Sequence, residues 1–320
     1  MIRKWAVVGI ILLFVGVTIV PAIAQTTEKQ SVSQGNWLYV GGSGPGNYTR
    51  IQDAIENASE GDTIFVYQGV YFEHDLNITK LDLIGEERNT TIINGEGRFT
   101  EGIHLGEGAT IRGFIVQYFT EYDIALGIGT GLYIDGNNII VSDNIIRWCS
   151  QGIFFKEHCY NIDVHNNVFY DIEYYGLYLQ SLACSIHDNY FRTTGYGIYV
   201  LHGTRQVSID YNHFERNDVA MWARSTRATV RCNNFIDNDA HVSLQWDATL
   251  LTLPFVFYRI PSFSENFWDD WNGEKPRAIH GYFKFWILLP EVSILVFTHP
   301  IVQYDRHPAQ ERYEIPKIAI

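Results

Sequence analysis

The sequence predicts an all-β, right-handed parallel β-helix. Three observations carry this reading: a repeat of about 22 residues, an asparagine-apolar mark in each repeat, and a glycine-marked strand ahead of it. Asn144-Ile145-Ile146, Asn167-Val168-Phe169, Asn189-Tyr190-Phe191, Asn212-His213-Phe214 and Asn233-Asn234-Phe235 follow one another at spacings of 23, 22, 23 and 21 residues. Gly131, Gly152, Gly176, Gly197 and, in the last repeat, Ala220 open the short strands GLYID, GIFFK, GLYLQ, GIYVL and AMWAR. These coils cover about 131–240.

Two strands and their turns fill such a coil, which is too short for a pair of helices. The β-branched and aromatic content also favours strands. One coil cannot bury its apolar side alone. Stacking coils at the parallel spacing of about 4.8 Å makes a continuous core and pairs the backbone above and below. An inward amide at Asn144, Asn167, Asn189, Asn212 and Asn233 can accept from one coil and donate to the next, forming a structural ladder. The right hand follows from the chirality of parallel crossovers.

Each further segment has a place in this scheme. Residues 1–25 form an export signal, with Arg3-Lys4, an apolar run from Trp5 to Val20, and Ala22-Ile23-Ala24 before the cleavage point. An uncleaved membrane anchor is the alternative, and the only route to a membrane. Residues 26–36 are a linker and 37–270 the β-helix. Thr49-Arg50-Ile51-Gln52 reads as a capping box for a short helix whose Ile51, Ala54, Ile55 and Ala58 cover the first coil. Ile64 to Tyr67, Leu81 to Gly85, Gly102 to Leu105 and Thr110 to Phe114 are early strands, with Phe114 in the asparagine place. Residues 117–130 make a longer loop, and Leu250 to Tyr258 an apolar insert. Asn266-Phe267-Trp268 is a last repeat mark, and 271–320 a strand-rich tail packing on the helix.

Composition narrows the function. The net charge of −13 becomes −15 once Arg3 and Lys4 leave with the signal, which excludes a nucleic-acid partner. Charged residues are 18% and aromatics 15%, a surface of rings and amides rather than ion pairs. Cys149, Cys159, Cys184 and Cys232 show no CxxC spacing; Cys159 and Cys184 lie in neighbouring coils, where a bridge and free buried thiols are both open. Sequons at Asn47, Asn57, Asn77 and Asn89 mark glycosylation sites for an extracytoplasmic chain.

Alternation along the glycine-marked strands turns Leu132, Ile153, Leu177, Ile198 and Met221 inward, so Tyr133, Phe154, Tyr178, Tyr199 and Trp222 face outward in register, with His104 upstream. The faces or edges of such a ladder suit the C–H face of sugar rings and its hydroxyls can bond sugar hydroxyls; burial under the tail is the competing reading. A second outward file runs Arg112, Ser142, His165, His187, Asp210, Arg231. Within it His165, His187 and Asp210 are the candidate set for a divalent cation or copper, against a plain solvated face.

The segment Ile51-Gln52-x-Ala54-Ile55, with Gly61-Asp62-Thr63-Ile64-x-Val66 and Gly69-x-Tyr71-x-Glu73, resembles the opening of pectin-lyase-like β-helix proteins, above all the NosD-type proteins and their archaeal cell-surface relatives. Asn266 to Trp271 and His307-Pro308-Ala309 resemble the ends of such surface proteins. The resemblance implies the fold; its members include lyases, epimerases, hydrolases, adhesins and a copper-site maturation factor. Their catalytic sets are not reproduced here. Asp269-Asp270 and Leu201 to Arg205 do not form a polygalacturonase site, Asp-Pro-His-Asp is absent, and Asp135 with Lys156 is one pair where a pectate lyase needs several. The sequence therefore points to a non-catalytic extracytoplasmic protein binding a glycan or cell-envelope partner, with no required cofactor. A lyase or epimerase acting on an acidic glycan and a copper-linked protein are the alternatives.

Overall fold

A computed structural model describes residues 35–98, 101–123, 127–249, 261–273, 276–288 and 293–314. The expected signal segment and the insert Leu250 to Tyr258 lie outside the described residues. The chain is a right-handed parallel β-helix of about nine coils.

Each central coil has three strands rather than two. Thr130–Ile134, Ile139–Ser142 and Ile145–Arg147 make one coil, and each pairs in parallel with its counterparts in the coils before and after. The extra break is a backbone matter. Asp143, Asn166, Asp188, Tyr211, Cys232 and Glu265, each just before a ladder asparagine, adopt positive φ of 55–58°. One left-handed residue between two strands turns the chain and swings the next side chain inward. A second file with positive φ, Trp148, Asp171, Thr193, Arg216 and Asp237, makes the bend after the third face.

The three faces each send one file into the core. Leu132, Ile153, Leu177, Ile198 and Met221 are fully buried, as are Val141, Val164, Ile186, Ile209 and Val230. So is the file Ile146, Phe169, Phe191, Phe214 and Phe235, whose phenylalanine rings stack 4.6–5.0 Å apart. These rings explain the glycine marks. A Cβ on Gly176 would meet the Gly197 carbonyl oxygen at 2.5 Å and the Phe191 ring at 3.0 Å.

The asparagine ladder forms as expected and runs further. Asn144, Asn167, Asn189, Asn212, Asn233 and Asn266 are fully buried. Each of the first five donates Nδ2 to the Oδ1 of the next at 3.0–3.2 Å. The Phe114 N–H donates to Asn144 Oδ1, so Phe114 holds the asparagine place in its coil. At the other end Asn266 N and Nδ2 and Trp268 Nε1 all donate to Oδ2 of buried Asp305. A second amide ladder stands at the other bend: Thr194 N–H donates to Asn217 Oδ1, and Asn217 Nδ2 to Asn238 Oδ1.

The N-terminal cap differs from expectation. The helix Ile51–Asn57 buries Ile51 and Ala54, but its N-cap is Arg50 and no side-chain capping bond is made there. Glu73, only 5% exposed, closes the helix from the next coil, accepting from Ile51 N–H at 2.6 Å and Gln52 N–H at 2.9 Å. A carboxylate reaching from 22 residues away does the work expected of the local box. Glu73→Ala is expected to cost about 1–2 kcal/mol in urea denaturation, with Glu73→Gln recovering part of it through the remaining acceptor.

At the C-terminal end Arg277–Leu288 adds a strand to Ala240–Thr249 and pairs antiparallel with Ser293–Asp305. The segment that follows lies along the third face: Asn234 Nδ2 donates to the Tyr313 carbonyl, and Tyr313 N–H to Asn234 Oδ1.

Candidate carbohydrate-binding face

The outward aromatic file is present, and its geometry changes what it can offer. Tyr133, Phe154, Tyr178, Tyr199 and Trp222 pair in register coil by coil. Their rings stack on one another at 5.1, 4.9, 5.5 and 4.2 Å with interplanar angles of 9–12°. His104 extends the file at 5.2 Å from Tyr133, tilted by 44°. The ring faces are therefore used up by each other, and of the faces, edges and hydroxyls that could meet a sugar the edges and hydroxyls are left. What remains is the rim, half-buried in all five rings.

That rim is polar. The hydroxyls of Tyr133, Tyr178 and Tyr199 find no hydrogen-bond partner among the described residues, and neither do those of Tyr175 and Tyr196 in the flanking file. Tyr175 packs on Tyr178 and Tyr199 at 5.3 and 4.7 Å, and Tyr196 on Tyr199 at 5.3 Å. Burial pushes the Tyr133, Tyr175 and Tyr178 phenols up, and that of Tyr199 to about 12. They stay protonated near neutrality and can both donate and accept. The described end of the tail lies on another face, against Asn234 and Tyr211, not over this file.

The second outward file does not converge on a metal. His165 and His187 stack 5.0 Å apart at 9°, so their nitrogen lone pairs lie side by side instead of meeting at a point. His187 Nε2 lies 3.1 Å from Asp163 and Nδ1 2.7 Å from Asp188. Asp210 takes Arg231 Nε at 3.2 Å; burial nonetheless raises its carboxyl above the ordinary value. Of the sequons, Asn57, Asn77 and Asn89 are exposed, while Asn47 is half-buried and donates to the Gly41 carbonyl. Asn77 pairs with His104 and so stands in the aromatic file itself. The four cysteines are free and buried. Burial raises Cys149 to about 12 and Cys184 to about 11, which removes them as thiolate ligands or nucleophiles.

A cleft of about 340 Å³ opens where the last coils meet the tail, lined in part by Asp237, Asp239, His241, Asp269, Asp270 and Arg277. His241 is only 8% exposed. Its orientation is set by Asn238, whose Oδ1 accepts from Asn217 and whose Nδ2 donates to the Phe214 carbonyl. The amide nitrogen thus faces His241 Nδ1 at 3.3 Å, leaving the ring proton on Nε2, 2.8 Å from Asp269 Oδ1. Asp269 Oδ2 also accepts from Asp237 N–H at 2.6 Å. Arg277 grips Asp270 through Nε at 3.0 Å and Nη2 at 2.7 Å. The sequence reading missed this site because Asp237, Asp269 and Arg277 are joined only by the fold. The pairs Asn217-Asp218 and Asn238-Asp239, one coil apart, were the available signal.

Three-strand coils, two amide ladders and an outward ring file define a pectin-lyase-like parallel β-helix protein. Residues 55–273 match the NosD family, described as periplasmic copper-binding protein. The chain belongs to that family and is an extracytoplasmic β-helix protein. Among curated proteins it is similar to probable pectinesterase 56 of Arabidopsis thaliana, 30% identical over 117 residues, which are 33% of this chain and 41% of that protein. Among solved structures it is similar to an alginate lyase from Paenibacillus sp. str. FPU-7, with 14% identity, a TM-score of 0.44, and coverage of 62% of this chain and 90% of that one. It is also similar to the mannuronan C-5 epimerase AlgE4 A-module of Azotobacter vinelandii, with 13% identity, a TM-score of 0.43, and coverage of 67% and 72%. No helix among the described residues is long and apolar enough to cross a membrane.

The donor chemistry does not fit copper. Among the described residues, His241 with Asp269 and Asp270, and His104 with Asp75 and Glu101, are the groups of three ligand-type side chains within 4.8 Å. Each has one imidazole and two carboxylates, with no thiolate, thioether or second imidazole to select copper over commoner ions. His104 Nε2 is engaged by Glu101 at 2.8 Å, and His241 Nε2 carries its proton toward Asp269. Met221 is buried in the core.

Proposed function

We propose that this protein binds a polysaccharide lengthwise along the file Tyr133, Phe154, Tyr178, Tyr199 and Trp222, without catalysis. The observation that carries the reading is the row of tyrosine hydroxyls with no partner among the described residues: Tyr178 and Tyr199 stand on successive coils about 4.8 Å apart, and Tyr133 two coils before Tyr178, across Phe154, all on a rigid face. Sugar hydroxyls both donate and accept, as phenols do, and stacked rings hold the row fixed before the ligand arrives. Little conformational entropy is then lost on binding.

The stack allows a clean test. Changing Tyr133, Tyr178 and Tyr199 together to phenylalanine keeps the rings and deletes the hydroxyls. Affinity for a soluble polysaccharide selected on a glycan panel is expected to fall by at least about tenfold, at about 0.5–1.5 kcal/mol per hydrogen bond, with unfolding unchanged. Wild-type affinity in the triple variant would overturn the proposal.

A further inference from the structure

We propose that the opening of about 320 Å³ on the bend after the third face binds one neutral pyranose unit, a chain end or a branch, stacked on the ring of Tyr118. Tyr118, Thr120, Trp148, Cys149, Asp171 and Glu173 line it. Its volume is close to the lower bound of about 300 Å³ for small-molecule sites, so it suits a single sugar rather than a length of chain. The site is separate from the tyrosine rims and stands on its own residues.

A free ring face is the feature that sets this place apart. Tyr118, Trp148 and Asp171 hold the left-handed position on three successive coils, with φ of 62, 52 and 51°. The Tyr118 and Trp148 rings stack at 5.0 Å and 24°. Arg147 packs its guanidinium over the indole at 4.1 Å and is itself fixed by Gln117 Oε1 at 2.9 Å, so the stack is held before a ligand arrives. One coil back the bend is Gly95-Glu96-Gly97, whose Gly97 N–H donates to the Tyr118 carbonyl at 2.8 Å. Two glycines put no side chain over the phenol ring, and Glu96 turns to Arg98 at 3.6 Å. Tyr118 is accordingly 39% exposed, and no second ring packs on it among the described residues. The inner rings of the central file use both faces on one another; this two-ring stack keeps one face open.

An open ring face takes the apolar C–H face of a pyranose. The hydroxyls at the edge of that sugar need acceptors, and the lining supplies two. Asp171 Oδ2 accepts from Trp148 Nε1 at 3.3 Å, and Glu173 Oε2 from Ser150 Oγ at 3.0 Å. These bonds fix both carboxylates and leave Asp171 Oδ1 and Glu173 Oε1 without a partner among the described residues. Sugar hydroxyls donating to them would make charge-assisted hydrogen bonds. The same groups set the charge class. A uronate would bring a third carboxylate to two fixed ones and lose affinity. Arg147, beside the same indole, opposes a cationic sugar.

Methyl glycosides of glucose, galactose and mannose are titrated into the whole protein at low and high salt and followed by saturation-transfer NMR. Methyl galacturonoside and methyl glucosaminide serve as charged controls. At least one neutral glycoside is expected to bind at least about tenfold tighter than the galacturonoside, with an affinity that salt leaves unchanged. Tyr118→Ala is expected to lower that affinity at least about tenfold, and Tyr118→Phe, which keeps the ring face, to restore it. The Asp171→Asn, Glu173→Gln double variant keeps the shapes and is expected to lose at least about tenfold through its weaker acceptors. No binding of any neutral glycoside, equal or tighter binding of either charged control, or wild-type affinity in Tyr118→Ala or in the double variant would each overturn the proposal. The phenylalanine triple at Tyr133, Tyr178 and Tyr199 separates the two sites. Glycoside binding that survives in it supports the bend site, whatever becomes of the rims. Binding lost in the triple and kept in Tyr118→Ala would belong to the rims and sink the bend site.

Discussion

Asn189→Ala is expected to remove about 3–5 kcal/mol of stability, among the largest losses any single polar side chain here can cause. The Asn189 side chain donates to the Val164 carbonyl at 2.8 Å, the His187 carbonyl at 2.9 Å and Asn212 Oδ1 at 3.1 Å, and accepts from Asn167 N and Nδ2 at 3.0 and 3.1 Å. Alanine leaves the Asn167 N–H and the Val164 carbonyl in a fully buried place with no water to replace the amide. Each orphaned group costs about 1–3 kcal/mol, so the sum exceeds what one hydrogen bond contributes. Urea denaturation measures it. Because coils contact only their neighbours, a lowered slope would accompany the shift if the coils beyond Asn189 separate first. A loss below about 1 kcal/mol would contradict the ladder's structural role.

Phe191→Ala is expected to cost a similar amount, about 3–5 kcal/mol, for a different reason. The ring is fully buried between Phe169 at 4.6 Å and Phe214 at 4.9 Å, and a rigid β-stack cannot collapse to fill the hole. Phe191→Leu keeps most of the volume and should lose much less. The same ring occupies the space a Cβ on Gly176 would need, so the two sites must couple. Gly176→Ala should be less harmful in the Phe191→Ala background than in the wild type. The relief is incomplete, since the Gly197 carbonyl still lies 2.5 Å from that Cβ. A double-mutant cycle in thermal or urea unfolding reads the coupling.

Much of this architecture was legible because a solenoid writes its register into the sequence. Once Asn144 and Asn167 were aligned, every residue between them had a counterpart one coil away, and inward and outward files followed by alternation. That logic located the core phenylalanines, the outward rings and the displaced Phe114. It could not reveal torsions, so the left-handed residues that split each coil into three strands went unseen. Nor could it reveal contacts made across coils by residues outside the pattern. Glu73 closes the helix from the next coil, and Asp305 enters the ladder from the tail. The His241 cleft exists only because the tail brings Arg277 to Asp270. For the ring file the sequence left faces and edges both open. Sequence gives the spacing of aromatic side chains, but their mutual attraction decides that they stack and present their edges.

The asparagine ladder has a direction. Every side-chain link donates toward the C-terminus, from Asn144 through Asn266, and the last donor meets Asp305, whose carboxylate oxygen passes nothing on. In the language of polymers, each coil is a monomer with a donor head and an acceptor tail, and Asp305 is the terminator. A row of that kind has no preferred length of its own. Coils could be gained or lost over evolutionary time by whole-repeat insertion or deletion with every remaining link intact, and the terminator alone fixes where growth stops.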